Sequence, residues 1–196
     1  YLLSKPYTLT CEESEEYLSM VQDTLGKNFQ NRRLMRLGVS ASNGGIAWLH
    51  PYIDEQGKFQ TMIIPPEQGI PLWRDNDHEE LNGFIWFYNV QVIEGQEQKT
   101  VTKVEYWLPE AVAYYVSDSE GEGWDLRLDS ERYLDAVADE NSEFMEHFHI
   151  GKEAGNWGRI PFVPFKNNDY ELPDLKFVKS LIDGYDKARS DVANFL

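Results

Sequence analysis

Residues 158–196, GRIPFVPFKNNDYELPDLKFVKSLIDGYDKARSDVANFL, decide how the rest of the chain is read. The run Ile160-Pro161-Phe162-Val163-Pro164-Phe165 is too short for a helix and suits a strand at a sheet edge, where proline's missing N–H costs no ladder bond. Lys166-Asn167-Asn168-Asp169 reads as a turn, because Asn and Asp side chains hydrogen-bond their own backbone and tolerate left-handed conformations. From Asp174, the residues Leu175, Val178, Leu181, Ile182, Tyr185, Ala188, Val192 and Phe195 recur mostly at helical spacings. That is the pattern of a helix burying one stripe, here over residues 174–196. Pro173 and Asp174 suit its first turn, where an N–H is unpartnered anyway and a carboxylate meets the positive dipole end. The stripe is still running at Leu196, so the chain is expected to be a piece of a longer one.

Upstream, residues 11–42 read as two helices. Thr10 with Glu13 forms a capping box for the first, which places Tyr17, Leu18, Val21 and Leu25 on one face and stops at Gly26. The second runs over residues 28–42, with Phe29, Leu34, Leu37 and Ala41 inward and Arg32, Arg33 and Arg36 outward. These arginines form the one basic cluster in the sequence. They suit pairing with an acidic surface, such as that of an identical neighbour, better than contact with a phosphate backbone, and an ordinary surface helix is the simplest reading.

Residues 45–165 read as strands separated by turns. Asn43-Gly44-Gly45 closes the second helix, and residues 46–53 and 58–64 flank the turn Asp54-Glu55-Gln56-Gly57 as a hairpin. Further strands are expected at residues 70–73, 84–93, 100–108, 111–116 and 143–150. In residues 100–108, Val101, Lys103, Glu105 and Trp107 alternate with Thr102, Val104, Tyr106 and Leu108, which predicts one packed face and one wet face. Residues 117–129, with two glycines and five acids, read as an exposed loop or hairpin tip. Its acids do not sit at the offsets of a calcium loop. Residues 130–140 read as a short helical turn with Tyr133, Leu134 and Val137 inward. The fold class expected is α+β: a mainly antiparallel mixed sheet, two N-terminal helices and a long C-terminal helix packed on it, in one domain covering residues 1–196.

Composition narrows the function. Apolar residues make up 41% and aromatic residues 14%, a globular balance. Thirty-four acids against 18 bases give a net charge of −16. Such a surface repels phosphate and opposes tight nucleic-acid binding, which draws its affinity from Lys and Arg displacing counterions. Cys11 is the single cysteine, so no intrachain disulfide forms. It lacks the neighbours that mark a reactive thiol. No apolar run approaches the ~20 residues that span a bilayer.

The ordered series of motifs resembles the portal proteins of tailed bacteriophages, more narrowly those of long-tailed phages of Gram-positive bacteria. The residues that carry it are the edge strand with Ile160-Pro161, the Asn167-Asn168 turn, and the helix Val178-Lys179-Ser180-Leu181-Ile182-Asp183-Gly184-Tyr185-Asp186 with Ser190-Asp191 and Asn194. Tyr1-Leu2-Leu3-Ser4-Lys5-Pro6-Tyr7, Ile46-Ala47-Trp48-Leu49, Tyr52 through Lys58, and Ile64-Pro65-Pro66-Glu67 agree in order. The resemblance implies the peripheral wing portion of a portal subunit, without the family's N-terminal arm, stem, clip and crown. It implies a ring of identical subunits, usually twelve, at one capsid vertex. Terminase, scaffolding, capsid and neck or adaptor proteins are the implied partners, and double-stranded DNA passes through without sequence-specific binding. ATP hydrolysis belongs to the terminase, so no cofactor, catalytic residue or metal is expected. The implied setting is the virion, assembled in the bacterial host cytoplasm. A DNA conduit also gains from acidic walls that do not stick. For the ring interface, the helix bearing Arg32, Arg33 and Arg36 and the acidic loop at residues 118–125 are the candidates.

Two rival readings remain at this point. His147 and His149 point the same way on a strand, and Glu153 could complete a three-ligand metal site of a cupin-like enzyme. The glycines expected around such a motif are out of place, and the other histidines, His50 and His78, form no second motif. The second rival is an acidic, aromatic-rich ligand-binding module whose tryptophans and tyrosines could make a carbohydrate platform, although Trp48, Trp86 and Trp107 sit in strand patterns that favour the core. No nucleophile elbow, phosphate loop or dinucleotide fingerprint is present.

Overall fold

The computed structural model describes residues 8–28, 32–54, 56–95, 97–117, 125–133, 143–150 and 153–195. Two compact units emerge, one of Tyr1–Leu49 with Val163–Leu196 and one of His50–Phe162. Helices and antiparallel strands make the chain α+β, as the periodicities predict. Among the described residues the strands fall into three sheets with antiparallel pairings.

In the first unit, helix α1 spans Glu15–Asn28 and helix α2 spans Leu34–Gly44. Ser14 rather than Thr10 caps α1: its Oγ accepts the Tyr17 N–H at 3.2 Å, so the helix starts later than the Thr10 and Glu13 spacing predicts. Gly26 does not stop it, since one glycine costs a helix only about 1 kcal/mol. Leu37 and Ala41 are buried on α2 as expected, while Phe29 lies outside the described residues. Gly45, at φ 90°, ends α2 by donating its N–H to the Ala41 carbonyl. Strand β1, Ile46–Ile53, then begins, and its first half pairs with strand β10, Val163–Lys166, from Ile46 opposite Lys166 to Leu49 opposite Val163.

The turn after β10 is built as its asparagines suggest. Asn168 Oδ1 accepts the N–H groups of Tyr170 and Leu172, and the side-chain amides of Asn167 and Asn168 both donate to the Leu172 carbonyl. Asp174 accepts from Ser42 Oγ at 2.6 Å and from Asn167 Nδ2 at 2.7 Å, which ties the last turn of α2 to the chain leading out of β10. A 3-10 turn, Asp174–Phe177, precedes helix α4, Lys179–Phe195. The helical stripe is present, but it is not buried. Leu181 is 72% exposed, Tyr185 67% and Val192 61%, with Leu175, Val178 and Ile182 also exposed. Periodicity fixed which residues share a face and said nothing about what covers that face.

The second unit opens with the end of β1 and strand β2, Phe59–Ile64, joined by a turn in which Asp54 Oδ1 accepts the N–H groups of Gln56 and Lys58. Strands β3 (Gly69–Trp73), β4 (Leu81–Glu94), β5 (Glu97–Trp107), β6 (Val112–Ser117) and β7 (Arg127–Leu128) form one sheet in sequential order. Short hairpin connections explain that order. A four-residue helix α3, Ser130–Tyr133, follows. Residues 118–124, which hold most of the acidic loop, and Leu134 and Val137 lie outside the described residues. The strand expected over residues 143–150 shortens to β8, Phe148–Ile150, paired with β9, Glu153–Gly155, while Met145 makes a single bridge to Val112. Phe84, Val112 and Ala113 are fully buried, and Phe162 stacks on Phe84 with ring centroids 4.0 Å apart.

Candidate functional site

One face of the five-stranded sheet is unusual for its charges. Cross-strand register sets Trp86, Glu105 and Tyr114 in one rank across β4, β5 and β6, with Phe84, Trp107 and Val112 in the next. Cross-strand neighbours share a face, so a carboxylate sits inside an aromatic surface. Glu105 is only 4% exposed, and its demands are met within the chain. Oε1 accepts the Tyr88 hydroxyl at 3.0 Å, Oε2 accepts the Trp107 indole N–H at 3.0 Å, and Arg132 Nη2 lies 3.6 Å from Oε1. Arg132 also donates to the Tyr88 hydroxyl at 3.3 Å and lies over the Tyr114 ring, 4.8 Å from its centroid. Burial pushes the Glu105 carboxyl up from its usual range, with Arg132, Tyr88 and Trp107 pulling the other way, and burial likewise raises the Tyr88 hydroxyl.

Lys103, on the same parity of β5, makes a second partly buried pair, 2.6 Å from Asp129, which is 3% exposed. Asp129 therefore belongs to an ion pair and not to an exposed loop tip. These two pairs clamp the start of α3 onto β5. Sequence reasoning missed them, although the signal was there: Lys103 and Glu105 share strand parity with Val101 and Trp107, and a charge on an apolar strand face requires a partner.

Above this face lies a pocket of about 420 Å³, walled by His50, Tyr52, Met62, His147 and Trp157 among others. His50 is buried, donates Nδ1–H to the Pro161 carbonyl at 2.7 Å, stacks on Phe162 at 4.4 Å, and meets Trp107 edge-on at 5.1 Å. A carbonyl only accepts, which fixes the proton on Nδ1. Burial holds its pKa down to about 4. Trp107 is core, as its strand position predicts, whereas Trp86 is half-buried and lines the pocket.

Both ring nitrogens of His147 have partners within the chain. Its Nδ1 accepts the Trp157 N–H at 3.2 Å and its Nε2 faces the Leu108 carbonyl at 2.9 Å, so both ring nitrogens are engaged, the second as donor. Burial lowers its pKa. His149 and Glu153 are exposed and pair with Ala154 and Ile150 on the two-stranded sheet. Among the described residues no group of three or more His, Cys, Asp or Glu side chains could hold a metal ion. The geometry gives the cupin-like reading no support: His147 lies in a bend before β8 and is buried in the pocket wall, whereas His149 lies on β8 and is exposed. His78 stacks flat on Trp73 at 4.9 Å. Arg32 and Arg36 are exposed and Arg33 is half-buried. Among the described residues no helix is long and apolar enough to cross a membrane.

Comparison with known proteins places the chain in a phage protein family. The family model for phage portal proteins, SPP1 Gp6-like, matches residues 1–196, and the chain belongs to that family. It is 32% identical over 192 residues to the portal protein of Bacillus phage SPP1, covering 97% of this chain and 35% of that protein. It is also 30% identical to the portal protein of Clostridium phage phiCD119, covering 100% of this chain and 41% of the relative. The chain thus spans well under half the length of the relatives it matches.

Proposed function

We propose that this chain is the wing part of a portal subunit, that both compact units belong to that one peripheral domain, and that the complete subunit closes into a ring at a capsid vertex. The observation that carries the proposal is the family match along all of residues 1–196. The ring, usually of twelve identical subunits, is the conduit for DNA packaging and ejection and the platform for head-to-tail joining. Terminase, scaffolding, capsid and neck or adaptor proteins are its partners. The subunit is structural, uses no cofactor, and leaves ATP hydrolysis to the terminase.

Two physical features support the reading. A face of apolar residues from Leu175 to Val192 stands exposed along the 3-10 turn and α4, as it does on a surface made for a protein partner. A net charge of −16 disfavours adhesion of the wing to DNA in transit. Closure of a ring needs two different complementary patches on each subunit. The basic Arg32, Arg33 and Arg36 side and the acidic residues 118–125 are proposed as one such pair.

The test is location in the particle. Antibody raised against this chain, bound to gold and applied to particles from cells carrying the gene, is expected to mark one vertex per head. Labelling all over the shell, or of unassembled material alone, overturns the proposal.

A further inference from the structure

Lys103 and Asp129 are held unusually close for an ion pair. Nζ lies 2.6 Å from Oδ2, against about 2.7–2.9 Å for a charge-assisted N–H···O bond. The aspartate is buried and the lysine side chain nearly so. Lys103 shares a cross-strand rank with Tyr88 and Val116, and Val101 and Val116 beside it are buried. Both backbones are fixed. Lys103 is on the middle strand of the five-stranded sheet, while Asp129 donates its N–H to the Tyr114 carbonyl at 3.0 Å and accepts the Arg132 N–H at 2.9 Å. Burial on this face works against charge, since it raises the Glu105 carboxyl one rank along. A further carboxylate, Glu131 Oε2, lies 3.7 Å from the same Nζ on the solvent side. An amine in hydrogen-bond reach of a carboxyl oxygen stands about 3–3.5 Å from the carboxyl carbon, and such placement is equivalent to about 10⁵–10⁸ M of free reactant.

We propose that Lys103 and Asp129 join through an isopeptide bond between Nζ and Cγ, with Glu131 carrying the proton. The ion pair first exchanges a proton, giving a neutral amine and a carboxylic acid. The amine nitrogen attacks Cγ, and Glu131 takes the proton that it sheds and returns it to the acid hydroxyl, which leaves as water. One N–C bond forms, one C–O bond breaks, nothing is oxidised or reduced, and Glu131 ends as it began. The product replaces two buried charges with a neutral amide, which relieves the desolvation that burdens a buried ion pair. It ties the middle strand of the sheet to the start of α3. The inference stands apart from ring assembly, because the bond is read on the chain itself.

The test is the mass of the chain, purified, incubated at neutral pH and then unfolded for mass spectrometry. It is expected to be lighter by one water, and a tryptic digest is expected to hold a branched peptide joining Lys103 to Asp129, with no cleavage after Lys103. Lys103→Arg keeps the charge and removes the primary amine. It should restore the full mass, while circular dichroism reports the same fold. Glu131→Gln should slow the conversion by about tenfold or more, read as the fraction lighter by one water at fixed times after synthesis. A chain of full mass overturns the proposal in favour of a plain ion pair, as does a water loss that persists in Lys103→Arg. Equal conversion in Glu131→Gln overturns the role given to Glu131.

Discussion

Gly45 and Glu171 meet backbone to backbone. A Cβ built on Gly45 falls on the Glu171 carbonyl oxygen, and both residues hold positive φ, 90° and 53°. This close approach locks the end of α2 against the turn after β10, and the hydrogen bond from Asn167 N–H to the Gly45 carbonyl at 2.9 Å adds to it. Gly45→Ala is expected to cost more than about 2 kcal/mol in urea unfolding, since backbone strain and a clash with main-chain atoms add. Gly95→Ala supplies the control, because at φ 67° nothing lies within 4 Å of its Cβ. It should lose about 1 kcal/mol, the strain alone. Equal losses would mean that the Gly45 approach is not tight.

Glu105 is a buried charge whose partners depend on it. Glu105→Ala strands the Tyr88 hydroxyl and the Trp107 N–H and removes the countercharge of Arg132. A loss of about 3 kcal/mol is expected. Glu105→Gln retains one acceptor and should lose about 1 kcal/mol. Calorimetric melting of the two variants beside the parent checks the order, and a neutral Glu105→Ala would refute the network.

Acid should weaken the second unit through His50. Its folded pKa is about 4 against an ordinary 6.5, so its contribution is full above pH 6.5 and is lost as pH falls toward 4. The loss is on the order of 3 kcal/mol. His147, also lowered, acts in the same direction. Glu105 is raised, so its contribution is present below the ordinary carboxylate pKa and lost as pH rises through its folded value, the opposite sign. Comparing the chain with His50→Phe cancels both, since they are common to the pair. The variant should lose less stability between pH 6.5 and 4 when unfolding is followed across that window, and an unchanged slope would place the acid sensitivity elsewhere.

His147 joins two backbone segments, at Leu108 and Trp157. His147→Ala removes the acceptor for the Trp157 N–H and the donor to the Leu108 carbonyl, and should cost about 2 kcal/mol. Zinc, manganese or iron should leave the melting temperature of the parent unchanged, and a rise lost in a His147→Ala, His149→Ala double variant would revive the metal site.

How far the sequence could be read follows from which forces are local. The hairpins, the edge strand at Val163, the helix around Leu37 and Ala41 and the glycine stop at Gly45 all depend on neighbours in sequence, and all were legible. The cap fell on Ser14 instead of Thr10, two hydroxyl residues near the same helix start that local sequence alone does not separate. The aligned pair His147 and His149 looked like a ligand set because parity was visible, while the Leu108 carbonyl and the Trp157 N–H that occupy His147 come from distant residues. Glu105 was visible as a charge among aromatic residues, but Arg132, its partner 27 positions away, was not. The stripe from Leu175 to Val192 announced a buried face, but its residues are exposed, because periodicity records which residues share a face and not what lies against it.

The most direct measurement is the mass in solution, by light scattering coupled to size exclusion, of this sequence carried in a polypeptide of the relatives' length. A single closed oligomer of many subunits is the predicted result, with Leu181→Glu and Tyr185→Glu reducing it while leaving the isolated chain folded. Monomers or dimers at all protein and salt concentrations would contradict the portal account.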